Sequence, residues 1–219
     1  MAYIFIVQPK PGPSQFTREV VIITEGIDDA VFLEAVLEER KEDMGRTEIR
    51  YVQGNGGIAS FLNGLTLSPG FTQGKVRGIG VIADADENSA EAEKRIQKCF
   101  KDAGLPVPDS GRVKVEEQIW CGLFLFPSLG QPGMLEDLVL DVMPQSPVLD
   151  MSRGLVDSVV KLGSKLDKMG KRVVQVYLAV CEGKLSRGPG QGVRNGSIPI
   201  EHSKLAELNE FLDELLKHR

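Results

Sequence analysis

Two short apolar runs in this chain each end on an acid, and a helix pattern follows each. In VRGIGVIADADEN (residues 76–88), Val76, Ile79, Val81 and Ile82 read as a buried strand that closes on Asp84 and Asp86. In EVVIITEG (residues 19–26) the run closes on Glu25 and Gly26, and DDAVFLEAVLEERKED follows. A strand without a polar side in its pattern is buried on both faces, the habit of parallel sheets covered by helices. Ligand sites in such sheets form at the carboxyl ends of strands. Glu25, Asp84 and Asp86 are therefore expected at one edge. On extended chain, carboxylates at i and i+2 project the same way. They repel at neutral pH, and a cation between them relieves the repulsion. A hard divalent ion is the ligand this arrangement favours.

The alternation continues along the chain. Residues 19–24 predict a strand and 28–42 an amphipathic helix with Asp28 as its N-cap. EIRYVQ (48–53) predicts a strand, and GNGG (54–57) a turn into the short helix IASFLNGL. After the strand at 76–83 comes a helix over 89–104, with Ser89 near its start and Gly104 closing it. RVKVEE and IWCGLFLF, within 112–126, predict strands, and MLEDLVLDVM a short helix. Residues 152–163 and 165–182 predict further helices, and HSKLAELNEFLDELLKHR a terminal amphipathic one. AYIFIV reads as a short strand before the turn-rich PKPGPSQ. GKLSRGPGQGVRNGS (183–197) predicts a mobile glycine-rich loop, whose Arg187 and Arg194 are candidates to clamp a nucleic-acid backbone. The β-α-β-α order implies an α/β fold, a mainly parallel, Rossmann-like sheet flanked by helices. With no strong linker in view, residues 1–219 read as a single domain. A core over 19–143 would carry a helical C-terminal extension, 144–219, packed on it.

Composition narrows the chemistry. Only two histidines occur, His202 and His218, both near the end, which argues against a Ser-His-Asp triad, a Cys-His pair or a His-rich zinc site. Carboxylate chemistry remains, and oxygen-only ligands suit Mg²⁺ or Mn²⁺. The net charge of −5 offers no whole-protein basic field, so nucleic-acid binding would need a local basic patch or metal-bridged phosphates. Cys99, Cys121 and Cys181 are isolated, without a CxxC, and point to a reducing, cytoplasmic compartment. The start of the chain has no basic signal-peptide region. No apolar run approaches the roughly 18 residues that span a bilayer, so no membrane partner is expected.

Glu25-Gly26 followed, after about sixty residues, by Asp84-Ala85-Asp86 resembles the Toprim family, the catalytic fold of topoisomerases, bacterial primases and several small nucleases. The nearer likeness is to the Toprim domains of overcoming-lysogenization-defect (OLD-type) nucleases and their small stand-alone relatives. Those carry an Asp soon after the first Glu, matched by Asp28 or Asp29. A downstream Gly-x-Leu/Ile-Glu is matched by Gly133-Met134-Leu135-Glu136, with Asp137 following. Their lysine before a helix is matched by Lys171 in KRVVQVYLAVC. The resemblance spans residues 19–143 well and the remainder weakly. It implies a Toprim-type sheet and metal-dependent cleavage of DNA or RNA. Asp84, Asp86 and Glu136 would hold one ion, and Glu25 with Asp28 or Asp29 would hold or orient a second. Asp137 is a further candidate ligand. Two ions about 4 Å apart would serve attacking and leaving oxygens, and Lys171 would stabilise charge on the leaving group.

The chain narrows those options. Topoisomerases need a tyrosine nucleophile in a separate gate domain, and only Tyr3, Tyr51 and Tyr177 are present. GNGG is not followed by Gly-Lys-Ser/Thr, so it is no P-loop. An OLD-type protein would then act alone or with a separate ATPase partner. The terminal amphipathic helix makes a homodimer plausible.

Plainer roles compete at each position. Asp84 and Asp86 are good turn residues, and Glu136 and Asp137 suit the first turn of a helix. Lys171 and Arg172 fit a solvated helix face, and Trp120, Phe124 and Phe126 fit a core. A haloacid-dehalogenase-type phosphatase also uses Asp-x-Asp, but it places Thr or Val where Asn88 stands here. A non-catalytic Toprim-like module that binds nucleic acid or protein is the remaining alternative.

Overall fold

In a computed structural model, residues 16–42, 45–52, 57–181 and 188–218 are described. The expected N-terminal strand AYIFIV, the turn-rich PKPGPSQ, residues 54–56 of GNGG, and Arg187 lie outside these ranges.

Five strands form one sheet: β1 (Val20–Thr24), β2 (Thr47–Tyr51), β3 (Gly78–Asp84), β4 (Arg112–Glu116) and β5 (Ile119–Phe126). Their spatial order is β2-β1-β3-β5-β4. All neighbours run parallel except the β4–β5 hairpin, which is antiparallel. The expected mainly parallel α/β sheet is therefore present. Chain order switches direction between β1 and β3, because β2 lies outside β1 on one side and β3 lies on the other. Such a switch point opens a crevice beyond the carboxyl ends of the two central strands. Edge strand β4 is largely exposed and carries the Lys114–Glu116 pair, the charged edge that discourages pairing with another chain.

Helices cover both faces. They are α1 (Ile27–Glu39), α2 (Gly57–Thr66), α3 (Pro69–Thr72), α4 (Ser89–Asp102), α5 (Leu135–Val142), α6 (Pro147–Lys161), α7 (Met169–Val180), α8 (Pro189–Arg194) and α9 (Ala206–Lys217). Alternate residues of each strand feed two separate cores. Val20, Ile22, Ile82, Phe124 and Phe126 join Phe32, Leu33 and Val36 of α1 and Phe211 and Leu215 of α9. Val21, Ile23, Val81, Leu123 and Leu125 join Ile58 and Leu62 of α2 and Ile96 and Phe100 of α4. Both strand faces are thus apolar, which is why β1 and β3 read as unbroken hydrophobic runs.

The expected terminal amphipathic helix is present as α9 and packs on the sheet. Its apolar side is buried by its own chain: Leu208, Phe211, Leu212 and Leu215 are all inaccessible. Glycines on the strands clear its path. A Cβ on Gly80 would lie 2.6 Å from Leu215, and one on Gly122 would lie 2.9 Å from Phe211. Trp120 closes the groove, and its indole Nε1 donates to the Leu215 carbonyl at 2.9 Å.

Three expectations change. Helix α1 begins at Ile27 with Gly26 as N-cap, so Asp28 is inside the first turn and caps nothing. Helix α6 begins at Pro147, earlier than 152, because proline fits the first helical position and the Ser146 hydroxyl accepts Leu149 N–H at 3.2 Å. The glycine-rich segment is not simply a loop. Its described part contains α8, in which Pro189, Gly190, Gly192 and Val193 are buried. A Cβ on Gly190 would collide with the Val31 backbone of α1. Arg194 then pairs with Glu34 and with Glu38 of α1, the latter at 2.9 Å. The glycines mark a close helix crossing, and Arg194 is engaged in that crossing. Among the described residues no helix is long and apolar enough to cross a membrane.

Candidate functional site

The site is built at the switch point, from loops and helix starts beyond β1, β3 and β5. Beyond β1, the Thr24 hydroxyl donates to the Gly26 carbonyl at 2.8 Å and bends the chain into α1. The first turn of α1 then presents Asp28 and Asp29. Asp29 is only 7% exposed and takes a hydrogen bond from the Gly26 backbone. It is the third residue of the helix, so this bond is the reach-back half of a capping box.

Asp84 is the last residue of β3. Its Oδ1 accepts the N–H of Leu135, the first residue of α5, at 3.0 Å. One residue further, Ala85 N–H donates to the Phe126 carbonyl of β5 at 3.0 Å. Asp86 then turns left-handed, φ 51°, and its carbonyl accepts Gly133 N–H at 2.7 Å. The extended geometry expected for the Asp-x-Asp pair is therefore absent. Asp86 is exposed at the rim, while Asp84 points inward toward α5.

Helix α5 brings Glu136, 5% exposed, into the same space. Its neighbour Asp137 turns back instead, accepting Met134 N–H at 2.8 Å and capping its own helix. Lys171, from α7, inserts its ammonium between two acids, 2.7 Å from Asp28 and 3.3 Å from Glu136. Arg172 faces elsewhere, paired to Asp167 at 3.0 Å. Glu25 leans outward to Arg95 of α4, whose Nη1 donates to its Oε1 at 2.6 Å. Arg95 has no signature in the sequence. It is one of several cations on an ordinary amphipathic helix, and only the crossing of α4 over the sheet brings it to Glu25.

The structure thus gathers Asp28, Asp29, Asp84, Glu136 and Lys171, leaves Asp86 and Glu25 at the rim, and gives Asp137 a capping role. The electrostatics follow from this crowding. Burial first, then the charge of Asp29, push the Asp84 carboxyl up to about 8, with smaller pushes from Glu136 and Asp86 and an opposing pull from Leu135 N–H. Burial, Glu136 and Asp28 push Asp29 up to about 6, opposed by Lys171 and the Gly26 backbone. Lys171 is itself shifted upward by its acidic partners, against its desolvation. Acids that keep protons near neutrality are acids short of positive charge.

Among the described residues no three His, Cys, Asp or Glu side chains stand close enough to form a finished metal cage. The donor chemistry nevertheless fits a hard ion. The buried acids offer only oxygen, and Asp29 and Asp84 gain from any added positive charge. Lys171 supplies one such charge in fixed position.

No curated protein and no solved structure matches the chain. Residues 19–217, which take in every described strand and the whole site, match the family described as a protein of unknown function, DUF3226, and the chain belongs to that family.

Proposed function

We propose that this protein hydrolyses phosphodiester bonds of DNA or RNA with carboxylate-held Mg²⁺ or Mn²⁺. The observation that carries the reading is the convergence of Asp29, Asp84 and Glu136, from three different elements, beside one lysine at the sheet's switch point. Acids buried together without enough counter-charge cost stability, and a divalent ion is the simplest group to offset that cost. The Toprim resemblance of Glu25-Gly26, Asp84-Ala85-Asp86 and Gly133–Glu136 supports the same reading.

In this proposal Asp84, Asp29 and Glu136 would draw together to hold the ion, with Asp86 at the mouth of the site. Glu25 and Asp28 would orient the incoming water or assist a second ion. When bound, the metal would supply Lewis-acid charge and a more acidic water. Lys171 places its ammonium where negative charge would otherwise build up, and it draws Asp28 and Glu136 together. α5 fixes Asp84 through Leu135 N–H, so one carboxylate is oriented before any ligand arrives.

The test is cleavage of labelled single- and double-stranded DNA and RNA in Mg²⁺ and then Mn²⁺. Loss of cleavage in Asp86→Ala and with chelator, in a folded protein, is the expected result. Nucleic-acid binding without cleavage of any substrate would favour the non-catalytic module instead. Cleavage that begins only when an ATPase from the same source is added would assign that enzyme as its partner.

A further inference from the structure

Two cations contact the site acids, and they are held differently. Lys171 is locked between Asp28 and Glu136 and is one-third exposed. Arg95 has a single acidic contact, Glu25, and its side chain is 42% exposed. The guanidinium therefore has further donors facing solvent at the mouth of the site. Asp86 also acts on it from the rim, though less than Glu25 does. A planar fork of N–H donors suits a phosphate as well as it suits a carboxylate. On the same helix Lys94, Lys98 and Lys101 are exposed, spaced so that they share one side. α4 also carries three acids: Glu91 is exposed on this side, Glu93 is turned aside to accept Ser110 N–H at 2.7 Å, and Asp102 pairs with Lys98. Lys94, Lys98 and Lys101 thus accompany Arg95 along the exposed side of α4, interspersed with Glu91 and Asp102.

We infer that Arg95 is the anchor for a backbone phosphate of the nucleic acid, and that the α4 lysines continue its track. This rests on the nucleic-acid reading above. In the free protein Glu25 occupies the guanidinium. When a strand arrives, Arg95 exchanges one anion for another, and Glu25 is released toward the site. No bond is made or broken; one ion pair replaces another. Arg95 is a binding and positioning residue, and the exchange couples strand capture to the readiness of Glu25.

The experiment is fluorescence anisotropy of a labelled single-stranded DNA and the matching RNA. It is run in Ca²⁺, whose loose coordination supports binding more readily than chemistry, across a salt series. Each protein–phosphate contact contributes about 0.7 to the slope of log affinity against log salt on a single strand. Arg95→Gln should lower affinity about five- to twentyfold and flatten that slope by about one contact. Arg95→Lys should recover the slope but only part of the affinity. Lys94→Gln should flatten it by a similar step. Glu25→Gln should tighten binding in the wild-type background and change little beside Arg95→Gln, a coupling that a purely structural role would not produce. Unchanged affinity and slope in a folded Arg95→Gln protein overturn the inference, even if the wild type cleaves. Arg95-dependent binding without cleavage would keep the inference and retire the hydrolytic reading.

Discussion

Burial gives Asp84 and Asp29 a direct part in how this protein responds to pH. An aspartate with the ordinary value of 3.8 has lost its proton by neutrality, but here Asp84 keeps it to about 8 and Asp29 to about 6. Well below pH 3.8 both are protonated, folded or unfolded, and cost nothing. As pH rises through the window from 4 to 8, the unfolded chain releases protons that the fold retains. Stability therefore falls across that window. Asp84→Asn, which keeps an oxygen for Leu135 N–H, should remove most of the fall. Urea midpoints should nearly match those of the wild type near pH 4 and clearly exceed them at pH 8.5. Mg²⁺ or Mn²⁺ should raise the wild-type midpoint more at pH 8 than at pH 5, since the metal competes with these protons. The raised midpoint should vanish in Asp84→Asn. The presence of these acids was legible in the sequence, because each closes an apolar run or opens a helix. Their division of labour was not. A one-residue shift in where α1 begins hands the capping role from Asp28 to Asp29 and frees Asp28 for Lys171.

Among the elements, α8 and α9 show where pattern reading stops. A helix with two glycines and a proline looks like a loop, since those residues lower helix propensity. What the pattern omits is the neighbour: Gly190 lets α8 sit directly on the α1 backbone. Gly190→Val should lift α8 away and break the Arg194 pairs with Glu34 and Glu38. The expected cost is about 2 to 4 kcal/mol. Hydrogen exchange should locate the loss in α8 and the facing turn of α1, with β3 and β5 unaffected. The amphipathic period of α9 was plain, but an apolar stripe does not say what covers it. Gly80 and Gly122 answer that: they are gaps in the strand surface shaped for Leu215 and Phe211. A homodimer built on that stripe would first have to undock it.

At the scale of the molecule, the part after residue 143 is no appendage. It supplies Lys171 to the site and a helix that packs on one sheet face. Phe211, Leu212 and Leu215 alone represent on the order of 5 kcal/mol of burial. That is comparable with the whole stability of a typical domain. A chain ended after Met143 should therefore lose the cooperative urea transition rather than keep a weaker one. The parallel sheet was legible because the strands are apolar on both faces. The strand order was not, because the sequence carries no record of which side of β1 each crossover takes. That order is what makes β1 and β3 central and puts Glu25 and Asp84 at the switch point.

Trp120 is the chain's only tryptophan, and its indole is fixed under the last turn of α9. It stands at the amino end of β5, whereas the acids gather at the carboxyl ends of the strands. Nature has placed a single optical probe at the far end of the sheet from the chemistry. Its emission should redden when the terminal helix peels away and stay constant when an ion or a strand enters the crevice. An unlabelled sample can thus separate loss of architecture from loss of ligation in every variant named above, in one cuvette.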